Sequence, residues 1–237
     1  MLLLALDTCD SRGSVAVLHD ARTLHSISHD TSEDYSSWLL PAVHAVLQTA
    51  GTALPDVDAY AVATGPGSFT GVRVGLTTVK AWSEVYARPI VGVSRLEAMA
   101  TEASGDSPYV AAFTDAHRAQ VFGAMYQRDA GQLQRIDEES VIAPEKFLAS
   151  VVEIAGDSRV DWISTDPNCI TQTQAWSLRQ AAGETVQAAS LTLAPAIGQL
   201  GFHRVIEKRL TDALTLDANY VRRSDAEIFW KGGPNVR

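Results

Sequence analysis

Apolar residues cluster at 2–6, at 14–18 and, in looser alternation, at 23–29, with polar turns at 10–13 and 20–22 between them. That spacing predicts three short strands joined as an antiparallel meander. In "EDYSSWLLPAVHAVLQTAG" the period changes: Leu39, Val43, Val46, Leu47 and Ala50 recur at helical spacing, with Ser36 or Ser37 near the start and Gly51 as a stop. A helix over 36–50 follows, with Pro41 expected in its early turns, where a missing N–H costs least. "DVDAYAVATGPGSFTGVRVGLTTVKAWSEVYARPIVGV" then reads as strand, glycine loop, long helix over 70–87 and strand. This is a βαβ crossover, and the chain is of the α/β class.

After the helical "SRLEAMATEAS" and a Gly-Asp-Ser-Pro break, "YVAAFTDAHRAQVFGAMYQ" repeats the opening plan: an apolar strand ending in Asp, a polar turn and an apolar return strand. Asp7 and Asp115 close the first strand of each segment, so the chain reads as a duplicated strand-turn-strand unit with a boundary near Gly105. "PEKFLASVV", "TQTQAWSLRQAA" and "LAPAIGQLGFHRVIEKRL" are expected to be helical, and the tail carries Ile228, Phe229 and Trp230 beside basic residues.

Charge and cysteine content narrow the function classes. A formal charge of −9 argues against this chain gripping nucleic acid alone, because phosphate backbones are held by clustered Lys and Arg. Asp7 interrupts the apolar start too early for a leader or a membrane span, so a cytoplasmic address is expected. Cys9 and Cys169 have neither zinc-site spacing nor disulfide-scaffold density, and buried free thiols are expected.

"GPGSFTGVRVGL" looks like a phosphate loop, but its glycines fit neither G-x-G-x-x-G nor G-x-x-x-x-G-K-[ST]. Gly67, Gly71 and Gly75 instead recur every fourth residue, which puts Gly71 and Gly75 on one helix face. Glycine within a helix costs about 1 kcal/mol relative to Ala, so the pair needs a compensating contact. Close packing on the chain's own sheet satisfies that need, and so does a second helix from another protein.

"TGPGSFTGVRVGLTTVKA" resembles the signature of the TsaB (YeaZ) family, accessory subunits of the bacterial machinery that makes threonylcarbamoyladenosine in tRNA. "LALDTCDSRGSVAV", "SSWLLPAV", "TDAHRAQVFGAMY" and "LDANYVRRSDAEI" add to the match, which covers the first two-thirds of the chain best. The resemblance implies an α/β fold of two related actin/Hsp70-like (ASKHA) domains, each a mixed sheet with flanking helices, here 1–105 and 106–237. A final helix can pack back on the first domain. It further implies a non-catalytic scaffold that binds and activates TsaD, with TsaE, for ATP-dependent transfer of threonylcarbamoyl to the tRNA adenosine beside the anticodon. ATP then belongs to the complex, tRNA is reached only through it, and this chain needs no cofactor or metal of its own.

In that family two helices of the first domain form a bundle with TsaD or with a second copy. Carried onto 36–50 and 70–87, the contact surface is Ser36, Leu39, Leu40, Val43, Gly67, Thr70, Gly71, Arg73, Val74, Gly75 and Thr78. The isolated chain is then a homodimer, because an exposed apolar helix pair is a solubility liability. A bulky residue at Gly71 or Gly75 is expected to block partner binding and leave the fold intact.

Other chemistry is sparse. Nucleotide-binding members of the wider superfamily have an Asp-x-Gly-Thr type turn between the first strands, whereas here Cys9 stands where glycine is wanted and Asp10 repels phosphate. Asp7 and Asp115 read as turn-forming residues, or as metal-positioning carboxylates. His25 and His29 have H-x-x-x-H spacing, but in a strand they lie about 13 Å apart, too far for one ion. No H-E-x-x-H or G-x-S-x-G occurs, and Arg118 occupies a basic position common in the family. The competing reading is a stand-alone small-molecule kinase or phosphohydrolase working in the cleft between the domains.

Overall fold

The computed structural model describes residues 1–30 and 32–221. The first half runs β1 (Leu2–Asp7), β2 (Ser14–His19), β3 (Arg22–Ser28), α1 (Tyr35–Thr49), a 3-10 turn at Leu54–Asp56, β4 (Ala59–Ala63), α2 (Phe69–Tyr86), β5 (Ile90–Val93) and α3 (Arg95–Thr101). The second half runs β6 (Tyr109–Asp115), β7 (Val121–Asp129), β8 (Gln132–Arg135), β9 (Ser140–Ile142), α4 (Pro144–Ala155), β10 (Val160–Ser164), α5 (Asn168–Thr171), α6 (Trp176–Ala181), β11 (Val186–Ala188) and α7 (Ala194–Ile206).

The first sheet has the order β3-β2-β1-β4-β5 and the second β8-β7-β6-β10-β11, with β9 added on β7. In each, the first three strands form an antiparallel meander and the last two join parallel to the first. The repeated strand-turn-strand plan therefore extends to two whole mixed sheets of one topology. β1 and β4 lie centrally and are covered on both faces, which is why "LLLALD" and "AYAVA" read as unbroken apolar runs rather than alternating ones.

On β6 the side chains divide by parity. Val110 and Ala112 join the large core that runs under the first sheet, while Ala111 and Phe113 join a smaller one with Phe147, Trp162 and Trp176. The large core thus spans both sheets. α7 returns across the chain to lie on β1, β2 and β4, and its Gly198 and Gly201 allow the approach. A Cβ at those positions would stand 2.3 Å from Leu18 Cδ1 and 2.6 Å from the Ala61 Cβ.

The structure departs from the sequence expectations in three places. The third strand ends at Ser28, and His29 turns inward, each ring nitrogen 2.8 Å from a backbone carbonyl oxygen, those of Ser11 and Glu33. "TQTQAWSLRQAA" is broken into α5 and α6 rather than forming one helix. Pro41 sits beyond the first turn of α1, exposed and outside the buried stripe of Trp38, Leu39, Ala42, Val43, Val46 and Leu47, and as a proline it has no N–H to give the Ser37 carbonyl one turn back. Ile228, Phe229 and Trp230 lie outside the described residues. Among those described, no helix is long and apolar enough to cross a membrane.

Candidate functional site

Two concave features meet at the start of α1 and α2. One is a cleft of about 940 Å³ between the two sheets, lined by the β1–β2 turn, the 66–69 loop, the end of β6 and residues 218–221. The other is a groove of about 520 Å³ between α1 and α2. Tyr35 and Phe69 line both.

The floor of the cleft is an ionic chain. Asp7, fully buried, accepts the Cys9 N–H at 2.9 Å on one carboxylate oxygen and Arg95 Nε at 3.1 Å on the other. Arg95 is also buried, and its Nη2 donates to Asp10 at 2.8 Å. Arg12 in turn donates to Asp166 at 3.0 Å, across to the second sheet, where the Thr114 and Thr165 hydroxyls also donate to that carboxylate. Burial alone would raise the Asp10 carboxyl, but the Arg95 charge and the Arg12 amide outweigh it and hold it down to about 2. At Asp166 burial is likewise outweighed, by the two threonine hydroxyls and Arg12, and its pKa is lowered. Burial and the neighbouring Asp7 push the Cys9 thiol well up, which leaves it an inert core group.

The same turn uses its own amides. Cys9 N–H goes to Asp7, Arg12 N–H to Asp10, and Gly13 N–H to the Tyr35 hydroxyl at 2.6 Å, while that hydroxyl donates to the Asp10 carbonyl. An anion entering here meets carboxylates and amides already bonded, the reverse of what a phosphate loop offers. Asp115 is the counterpart of Asp7 in the second sheet and accepts the His117 N–H at 2.7 Å, so both aspartates form turns at strand ends. Arg118 lines the cleft within a left-handed run over 117–119. Among the described residues, no group of three or more potential ligands gathers at a metal-binding distance.

The glycine stripe points inward, and this corrects the expected contact face. A Cβ on Gly67 would lie 2.0 Å from the Cys9 carbonyl oxygen, one on Gly71 2.0 Å from that of Thr8, and one on Gly75 2.5 Å from Thr8 Oγ1. Thr8 Oγ1 completes the contact by donating to the Gly71 carbonyl at 2.7 Å. The close approach is thus made by the chain's own β1–β2 turn, and a leucine at Gly71 or Gly75 would probe folding rather than docking. Val43 is likewise core.

The remaining expected residues, Ser36, Leu39, Leu40, Thr70, Arg73, Val74 and Thr78, are brought together along the groove, joined by Tyr35, Phe69 and Thr77. Its exposed apolar surface is concentrated at Leu40, 56% exposed, and Phe69, 39% exposed. At one end the Arg73 guanidinium lies 3.7 Å over the Phe69 ring, and its Nε donates to the Tyr220 hydroxyl at 2.8 Å. Arg95, Arg12, Asp166 and Tyr220 escaped sequence reasoning, because their partners are distant in the chain and no spacing rule links them.

A family model described as "TsaD: tRNA N6-adenosine threonylcarbamoyltransferase" matches residues 26–213. The tRNA threonylcarbamoyladenosine biosynthesis protein TsaB of Escherichia coli is 34% identical over 179 residues, 74% of each chain. Its Bacillus subtilis namesake is 28% identical over 230 residues, 97% of this chain and 98% of the relative. YeaZ from Pseudomonas aeruginosa has a TM-score of 0.71 at 29% identity, covering 92% of this chain and 99% of that one. A ROK hexokinase from Thermus thermophilus, with a TM-score of 0.51 at 13% identity over 86% of this chain and 100% of its own, shares the actin-like fold alone. Fold and sequence together place the chain in the TsaB (YeaZ) family of tRNA threonylcarbamoyladenosine biosynthesis proteins.

Proposed function

We propose that this chain is a non-catalytic scaffold that docks a TsaD protein on the α1–α2 groove and, with TsaE, supports ATP-dependent transfer of threonylcarbamoyl to the tRNA adenosine beside the anticodon. The observation that carries this reading is the groove itself: Leu40 and Phe69 present apolar surface between two helices, bordered by Thr70, Thr77 and Thr78. The occupant is argued from kinship. The matching TsaD family model covers the region containing α1 and α2, which supports an equivalent helix pair in a TsaD protein and a four-helix bundle as the way the two pairs would pack. Without that partner, a second copy covers the same face and gives a homodimer. The charge of −9 supports tRNA contact through the complex rather than through this chain alone.

Light scattering on a sizing column tests the reading. The chain alone should run as a dimer and convert to a one-to-one complex when the TsaD protein of the same organism is added. Leu40→Glu puts a charge where a partner would bury it, and should weaken both associations by about a hundredfold while leaving the circular dichroism spectrum of the folded chain unchanged. Undiminished association of folded Leu40→Glu would overturn the assigned face. The competing kinase or phosphohydrolase reading has the volume of the cleft in its favour, but its phosphate end is filled by Arg95, Asp10 and bonded amides. Calorimetric titration with Mg-ATP should show no binding by the isolated chain, and saturable heat would restore the enzyme reading.

A further inference from the structure

The geometry points to Tyr220 as a positioning residue that presents Arg73 at the rim of the docking groove to a carboxylate of the partner. The inference rests on the docking reading above and specifies the chemistry of one contact within it. Residues 217–221 cross the start of α2 as a strap, and the strap is fixed independently of any partner. Asn219 donates its backbone N–H to the Thr64 carbonyl at 2.7 Å, and its side-chain amide donates to the Glu139 carboxylate. The next residue, Tyr220, stacks on Phe69 with ring centroids 5.2 Å apart and accepts Arg73 Nε.

Arg73 is held by two contacts of different kinds. Phe69 supports the flat face of the guanidinium at 3.7 Å, and the Tyr220 hydroxyl fixes its in-plane orientation through Nε. Among the described residues, its two Nη groups take no partner, so the planar fork that recognises a carboxylate through two parallel bonds remains available on an exposed side chain. A long cation free in solution loses rotamer freedom on pairing, and most exposed ion pairs contribute little for that reason. Here much of that freedom is already lost before the partner arrives, so the pair forms at smaller cost. The chain's other groove-lining residues are neutral, which makes Arg73 the groove's charge-selective point.

The test is a double-mutant cycle on the affinity for the TsaD protein, read at low and high salt. Arg73→Ala should weaken binding about tenfold and flatten its salt dependence. Tyr220→Phe keeps the stacked ring but removes the hydroxyl acceptor, and should weaken binding about threefold. In the Arg73→Ala background the same change should be silent, because Tyr220 acts only through Arg73. Arg73→Lys should behave more like Arg73→Ala than like the parent, since an ammonium lacks the fork. A silent Arg73→Ala, or strictly additive effects of the two changes, would overturn the inference. Leu40→Glu is measured alongside: if it too binds normally, the docking surface itself is wrong, whereas loss of binding by Leu40→Glu with a silent Arg73→Ala sinks only the role given to Tyr220 and Arg73. Melting curves of each variant separate a local effect from unfolding.

Discussion

At Gly71 two effects of opposite sign compete. Alanine is the better helix former by about 1 kcal/mol, so an exposed helical glycine would gain stability on replacement. Here the added methyl would stand 2.0 Å from the Thr8 carbonyl oxygen, a backbone atom that cannot swing aside as a side-chain tip can. Either α2 lifts from the β1–β2 turn or the turn moves, and both disturb the bond from Thr8 Oγ1 to the Gly71 carbonyl. Overpacking of this kind costs about 1–3 kcal/mol, which exceeds the propensity gain. Net of the propensity gain, Gly71→Ala should therefore lower unfolding stability by about 1 kcal/mol in urea melts, and a variant as stable as the parent would show that the turn yields to the added methyl. The glycine spacing made a close contact legible in advance. It could not show which body supplies the contact, because a stripe of missing side chains reports distance and not direction.

Elements differ in how far local pattern determines them. β1, β2 and β4 were legible as apolar runs, and α1 and α2 as helices to within one residue at each end, since their stripes of Leu, Val and Ala match the helical period. The two segments ending in Asp7 and Asp115 were legible as repeats because each closes a strand with the same turn, one carboxylate oxygen accepting the amide two residues on. α7 was legible as a helix, but its destination on the first sheet was not: the fit of Gly198 over Leu18 joins residues 180 apart in the chain. The groove was half legible for the same reason. Leu40, Thr70, Arg73, Val74 and Thr78 follow from which helices pair, while Tyr220 belongs to a strap with no period of its own.

Across the whole molecule, the chain from Asp7 through Arg95, Asp10 and Arg12 to Asp166 ties the turn of the first sheet to the strand ends of the second. Its pH dependence has a definite sign. Asp10 in the folded protein titrates at about 2, below its ordinary 3.8, so its contribution is fully present above about pH 4 and is lost as pH falls through its folded value. The lowered Asp166 acts in the same direction, whereas Glu139 and Glu102, raised by burial, act oppositely as pH rises through the carboxylate range. The arginines remain charged throughout this window. Asp10→Asn keeps an acceptor for the Arg12 amide but removes the titrating charge. Urea unfolding measured from pH 5 to pH 2 should show the parent losing about 2 kcal/mol more than Asp10→Asn, with the two curves converging at the acid end. At pH 7 the variant should be the less stable protein, since buried Arg95 then keeps only Asp7 of its two counter-charges. Parallel curves across the acid range would mean that Arg95 is neutralised by Asp7 alone, and that the ionic connection between the two sheets is carried without Asp10.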